Sequence, residues 1–148
     1  MYRFSLETVL THRKHVEDAL HKELTQIQNG LLKAEQNLAR LDRSITENLA
    51  EVQEKQKNGA SVIDITLYDN YINLMVQERG RQTQRIHRME HRLIQKRDAL
   101  VEAMKERKIL ERLKEKEFEA YQKELERKER IFMSEIAING FNMRRESP

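Results

Sequence analysis

Asn58-Gly59-Ala60-Ser61 is one short break between two long runs of helix-forming residues, and its reading decides the fold. Asn-Gly followed by small residues favours a turn. The single Pro is the last residue, so the strongest helix breaker is missing from both runs. Leu, Glu, Lys, Arg, Gln and Ala dominate them, and these lose little rotamer freedom in a helix. The expectation is an all-α fold, an antiparallel two-helix coiled-coil hairpin with the second helix longer than the first. Its predicted parts are helix 1 over 4–57, a turn over 58–65, helix 2 over 66–139 and a tail over 140–148. Together they form a single elongated domain over 1–148.

The apolar spacing supports this reading. In the first run Val9, Val16, Leu20, Leu24, Ile27, Leu31, Ala34, Leu38, Leu41, Ile45, Leu49 and Val52 recur mostly at alternating steps of three and four. Extra four-residue steps at Leu20 to Leu24 and Ile45 to Leu49 predict local unwinding of the supercoil. Asn29-Gly30 lies inside the seam without shifting its phase, so the helix is expected to run through it, weakened by about 1 kcal/mol. Two caps compete to start helix 2, Ser61-x-x-Asp64 and Thr66-x-x-Asp69, and Thr66 is favoured. The second seam runs Tyr68, Ile72, Met75, Ile86, Met89, Leu93, Leu100, Met104, Leu110, Leu113, Phe118, Tyr121, Leu125, with Arg79 and Gln82 at core positions. Glu119 with Lys123, Glu124 with Lys128, and Glu126 with Arg130 are spaced to pair along its exposed faces.

At 1.5 Å per residue the first helix would be about 80 Å long and the second about 110 Å. A linker of about eight residues makes them antiparallel neighbours. If residue 57 lies beside residue 66, Phe4 lies beside residue 119, and from Leu125 onward the second helix has nothing to pack on. That overhang still carries Leu125, Ile131, Phe132, Met133, Ile136, Ile138 and Phe141. Leaving each large apolar side chain in water forgoes roughly 1.5 to 3 kcal/mol, which points to a partner. The plainer alternative is a frayed end with scattered apolar residues.

Composition narrows the function. The chain is 36% charged and 38% hydrophobic, with no Trp and four Gly, as long exposed helices are. With no Cys, disulfides, thiolate catalysis and Cys-ligated zinc are excluded, in keeping with a reducing, cytoplasmic setting. Met1 to Leu10 lacks the apolar run of a secretory signal, and no stretch reaches the roughly 20 apolar residues of a membrane span. No Gly-rich loop cradles phosphate, and carboxylates on open helices have nothing to raise their pKa for acid-base work. Neither catalytic residues nor cofactor-binding ones are expected, and the chain reads as a protein that is not an enzyme.

His87 and His91 stand four apart with Glu90 between them, a spacing that can hold a metal. They lack a third ligand nearby, and Arg85, Arg88 and Arg92 repel a cation, so no metal site is expected. His12, His15 and His21 read as solvated helix-face residues. The net charge of +3 is unevenly placed, because residues 79 to 97 hold seven Arg or Lys against Glu90 alone. Arg81, Arg85, Arg88, Arg92 and Lys96 form a basic stripe beside the seam. A solvated face is the ordinary reading; an acidic protein partner is the sharper one, with nucleic acid as its rival. Aromatic side chains that would stack on bases are not interleaved with the stripe, which favours protein.

Three stretches together resemble one family. Phe4-Ser5-Leu6-Glu7-Thr8-Val9-Leu10-Thr11-His12-Arg13 is similar to the start of the flagellar export protein FliJ family. Tyr68-x-x-Tyr71-Ile72-x-x-Met75 is similar to that family's aromatic motif at the start of the second helix. Glu124-x-x-Arg127-Lys128-Glu129, then Ser134-Glu135-Ile136-Ala137 and a short basic tail with Phe141, Arg144 and Arg145, resembles its C-terminal region.

The resemblance implies a coiled-coil hairpin like the shaft of the rotary ATPase gamma subunit, and a non-enzymatic part in flagellar type III export. Its implied partners are the hexameric export ATPase, the cytoplasmic part of the membrane export gate, and export chaperones. Its implied place is the cytoplasm, peripheral to the inner-membrane apparatus. Leu125, Phe132 and Ile136 would enter the ATPase ring. Tyr71 and Met75 match gate-contacting positions, and the carry-over stops there because Glu78 and Gln82 replace a small residue and a His. Tyr71 reads equally as seam packing beside Tyr68 and Ile72. Two other readings compete: a basic coiled coil that binds nucleic acid through 79–97, and a self-associating scaffold that forms a four-helix bundle through its terminal seam.

Overall fold

The computed structural model describes residues 2–146, and it consists of two α-helices packed against each other. Helix α1 spans Glu7–Lys57, 51 residues, and α2 spans Val62–Glu146, 85 residues. No strand occurs among the described residues. The hairpin and the greater length of α2 match the sequence expectation, and Asn29-Gly30 lies inside α1 without interrupting it.

The turn is built by Gly59, which adopts φ 79°. The Ala60 amide donates to the Lys55 carbonyl at 3.0 Å, and the Gly59 amide to the Gln56 carbonyl at 3.4 Å. This pair of bonds is a Schellman motif, closed by the residue best able to take left-handed φ. Helix α2 then starts four residues before the expected Thr66. The Ser61 hydroxyl accepts from the Asp64 amide at 3.2 Å and so caps the helix. Thr66 donates its hydroxyl to the Val62 carbonyl at 2.7 Å instead, a bond open only to a residue already inside a helix. Ser61 prevails because it follows the Schellman turn without a gap, leaving no stretch of backbone unpaired. Lys55 Nζ reaches the Tyr68 hydroxyl at 2.7 Å and lies 4.4 Å from the ring centroid, tying the two helices beside the turn.

Contacts divide the chain into two compact units. The unit Asp18–Val101 contains the turn and the larger core. Val52, Ile72 and Met75 are buried together, with Leu41, Ile45 and Tyr68 packed against them. Ile27, Ala34, Ile86, Leu93 and Leu100 are the other buried apolar residues of this unit. Gly30 faces Met89, whose terminal methyl would lie 3.0 Å from a Cβ added there. The interruption expected at Ile45 to Leu49 is absent. Leu49 is 47% exposed, and Asn48 takes the inward position, donating to the Ser44 carbonyl at 2.7 Å. Counting apolar residues alone had put the seam one residue off.

The unit Met1–Glu17 with Glu102–Pro148 shows the same substitution of polar for apolar. Leu10, 1% exposed, is the seam residue here, whereas Val9 is turned outward. Glu17 is buried and is bound by Arg107, which also donates to both carboxylate oxygens of Glu111 at 2.9 Å. Glu17 thus fills a core position next to the half-buried Val16, and the spacing through Leu20 and Leu24 keeps the heptad unbroken. Arg13 with Glu106 at 2.5 Å and Lys114 with Glu7 at 2.9 Å flank the same packing.

Both ends of this unit differ from expectation. Helix α1 begins at Glu7 and not near residue 4, because Phe4 turns inward, 6% exposed, and its carbonyl accepts from the Glu7 amide. Tyr2 lies edge-on to Phe118, ring centroids 5.1 Å apart, and donates its hydroxyl to the Lys114 carbonyl. At the other end α2 runs on through Asn139-Gly140 to Glu146, where a tail from residue 140 was expected. One Gly costs a helix about 1 kcal/mol, too little to stop one whose last turn holds Arg144 and Arg145 against the negative end of its dipole.

Candidate functional site

Three surfaces of α2 carry the residues that the sequence marks for function. The first is the end of the helix. Every described residue from Phe118 to Glu146 is exposed. Among them Leu125 is 45%, Ile136 49% and Phe132 61% exposed. Phe118, Leu125 and Phe132 recur at intervals of seven, and so do Ile136 and Met143, which places them on one face of the helix.

That face is not the one α2 turns toward α1. The inward positions of this unit are Ala103, Arg107, Leu110, Lys114 and Glu117, and their continuation at three and four is Tyr121, Glu124, Lys128, Ile131 and Glu135. The apolar row stands one residue on, about 100° around the helix. Phe118 and Leu125, expected in the seam, stand on this displaced row and are exposed, as is Leu113 one residue before Lys114. Tyr121 keeps an inward position and is 39% exposed, with its ring 5.3 Å from that of Tyr2. Glu124 pairs here with Arg127 and not Lys128, at 2.6 Å, and this contact holds its carboxyl below the usual range.

The second surface is the start of α2, where Tyr71 and Met75 part company. Tyr71 is 53% exposed and so is not seam packing, whereas Met75 is 6% exposed and belongs to the core cluster with Val52 and Ile72. Four residues apart is a step that turns the side chain by about 40°, enough at the edge of the seam to separate inside from outside. Tyr71 has apolar company that the sequence reading missed: Ile63, Leu67 and Leu74 are all exposed beside it. Assigning 58–65 to a turn hid the row, since its first member falls within that span. Its spacing of four, four and three was nevertheless available.

The third surface is the basic stripe. Lys96 is drawn off it by Glu23, at 2.6 Å, and Arg81 contacts Glu78 at 3.4 Å. The hydrogen bond from Lys96, aided by the charges of Lys96 and Arg92, holds the Glu23 carboxyl below its ordinary value. Arg85, Arg88 and Arg92 remain exposed on the helix. His87 lies 3.6 Å from Glu90, and His91 contacts Gln95 at 3.2 Å. Among the described residues, no three His, Asp or Glu converge as metal ligands would.

The whole length of this paired-helix pattern answers to one family. The family model described as "Flagellar FliJ protein" matches residues 2–146. The chain belongs to the FliJ family. It is thereby a component of the flagellar export apparatus, a family of structural and not catalytic parts. Neither a curated protein nor a solved structure matches this FliJ-family chain. No helix among its described residues is long and apolar enough to cross a membrane.

Proposed function

We propose that this FliJ-family chain is the coiled-coil stalk of the export machinery, engaging and stimulating the hexameric export ATPase while joining it to the membrane export gate. The observation that carries the reading is the exposed end of α2, whose Leu125, Phe132 and Ile136 share one face about 100° round the helix from the hairpin seam. A helix that keeps such a face in water is stabilised by inserting it into a partner, by roughly 1.5 to 3 kcal/mol for each large side chain fully covered. Glu124, Arg127, Lys128, Glu129 and Arg130 offer charges of both signs to the walls of a ring.

Tyr71 serves as the gate contact on this reading, with Met75 holding the helix from behind as part of the core. Its exposed neighbours Leu67 and Leu74 enlarge the contact. The basic stripe of Arg81, Arg85, Arg88 and Arg92 is assigned to acidic protein partners, export chaperones among them. The protein works in the cytoplasm at the base of the apparatus.

The test is the ATP turnover of the cognate flagellar export ATPase with and without the purified chain, with the oligomeric state of the mixture followed by light scattering. Stimulation together with hexamer formation is the expected result. If the chain neither binds the ATPase nor changes its turnover, the stalk reading is wrong.

A further inference from the structure

Two features of α2 described separately above fall on one line. Ile63, Leu67, Tyr71 and Leu74 follow each other at steps of four, four and three. Arg81, Arg85, Arg88 and Arg92 follow at four, three and four. The gap between Leu74 and Arg81 is seven residues, two helical turns, so the second group continues the face of the first. All eight are exposed, and all belong to the unit Asp18–Val101. Glu78 lies between the groups, with its carboxylate bound to Arg81 and Gln82. Among the described residues, Arg85 and Arg88 have no ion-pair partner. Arg92 stands near Glu23, but that carboxylate is held by Lys96.

We propose that this row is one docking strip, about 44 Å long, for an acidic amphipathic protein segment. Large apolar side chains of the segment seat against Leu67, Tyr71 and Leu74, and its carboxylates follow along Arg85, Arg88 and Arg92. The inference rests on the stalk reading given above: it joins the gate contact around Tyr71 and the basic stripe into one site and names the chemistry of the partner segment that fills both. Segregation of the two chemistries is what selects this occupant. A nucleic acid would engage the four arginines but leave Ile63, Leu67 and Leu74 in water, since phosphates offer them nothing. A membrane surface needs apolar side chains along the whole line of contact, with basic ones flanking them. Here the two follow end to end. Guanidinium groups at this spacing match carboxylates on a facing helix, in bidentate contacts that a single apolar anchor would bring into register.

The experiment uses the full chain and a fluorescein-labelled synthetic peptide of about 30 residues, the length of the strip. One end of the peptide carries Leu and Tyr at helical spacing, and the remainder carries Glu on the same face. Two control peptides replace either the apolar block or the Glu residues by Gln. Fluorescence anisotropy is expected to give the two-block peptide an affinity at least roughly tenfold above each control. The double variants Leu67→Asp/Leu74→Asp and Arg85→Glu/Arg88→Glu should each abolish that advantage, with unchanged circular dichroism and melting. A control peptide that binds as tightly as the two-block one would overturn the proposal. So would tighter binding of duplex DNA, lost in the Arg variant but kept in the Leu variant, or preferential binding to phosphatidylserine vesicles. ATPase stimulation is measured on the same variants and should persist, because the strip is remote in sequence from Phe132. A chain that binds the peptide but stimulates no ATPase would refute the stalk reading and leave the strip standing.

Discussion

Individual residues decide where this hairpin is tight and where it is loose, and its glycines show the difference. A methyl added at Gly30 would meet the end of Met89 at 3.0 Å, whereas Gly80 has nothing within 4 Å. Both lie inside helices, where Gly costs about 1 kcal/mol relative to Ala. Gly80→Ala should therefore raise stability by up to about 1 kcal/mol in urea melts, and Gly30→Ala by distinctly less, since Met89 has to bend aside. Equal gains would mean that Met89 does not use the space. The Glu23 and Lys96 pair supplies a pH signature. Lys96 lowers the folded-state pKa of Glu23 from the ordinary 4.5, so its contribution is present above that value and fades as pH falls through the lower one. Lys96→Met should melt earlier than the parent at neutral pH, and the gap between the two should close on acidification, beginning at the ordinary Glu23 value and ending below the lowered one. A gap that persists in acid would assign the effect to packing of the Lys96 stem.

At the scale of elements, the turn shows how far the sequence can be read. Asn58-Gly59 located it, and α1 ended where expected, at Lys57. The start of α2 was misplaced because two caps of the same chemistry stood five residues apart, and only the continuity of the Schellman turn into Ser61 separates them. The seams were legible in period but not in phase. Glu17, Asn48 and Arg107 fill inward positions with polar groups that find hydrogen bonds there, so a search for apolar residues stepped to their neighbours Val16 and Leu49. Gly59 has the conformation that least tolerates a side chain, with φ 79°. Gly59→Ala is expected to destabilise the hairpin by about 1–2 kcal/mol, and Gly59→Asn by less, because Asn tolerates the left-handed region. Thermal melts of the two variants check this. If Ala proves as stable as Asn, the turn has another conformation open to it.

For the molecule as a whole, the question is which apolar surface folding consumes and which it leaves. Sequence spacing identified the terminal overhang, and Phe118 onward is indeed exposed. It could not show that the apolar row there stands one residue away from the seam, since heptads one position apart look alike without a partner to fix the phase. That offset matters for function. Were the row an extension of the seam, the free end would be half of a longer hairpin, awaiting another segment like α1. Displaced by about 100°, it presents Phe132 and Ile136 on a separate face. Phe132→Asp with Ile136→Asp should therefore leave helix content and melting nearly unchanged, because both side chains already stand in water. Binding to the export ATPase, measured by sedimentation or by stimulation of its turnover, should be lost, as two carboxylates would have to be desolvated where two apolar groups were covered. A collapse of helicity in the double variant would identify these residues as core after all. Intact folding with full ATPase binding would move the contact elsewhere on α2.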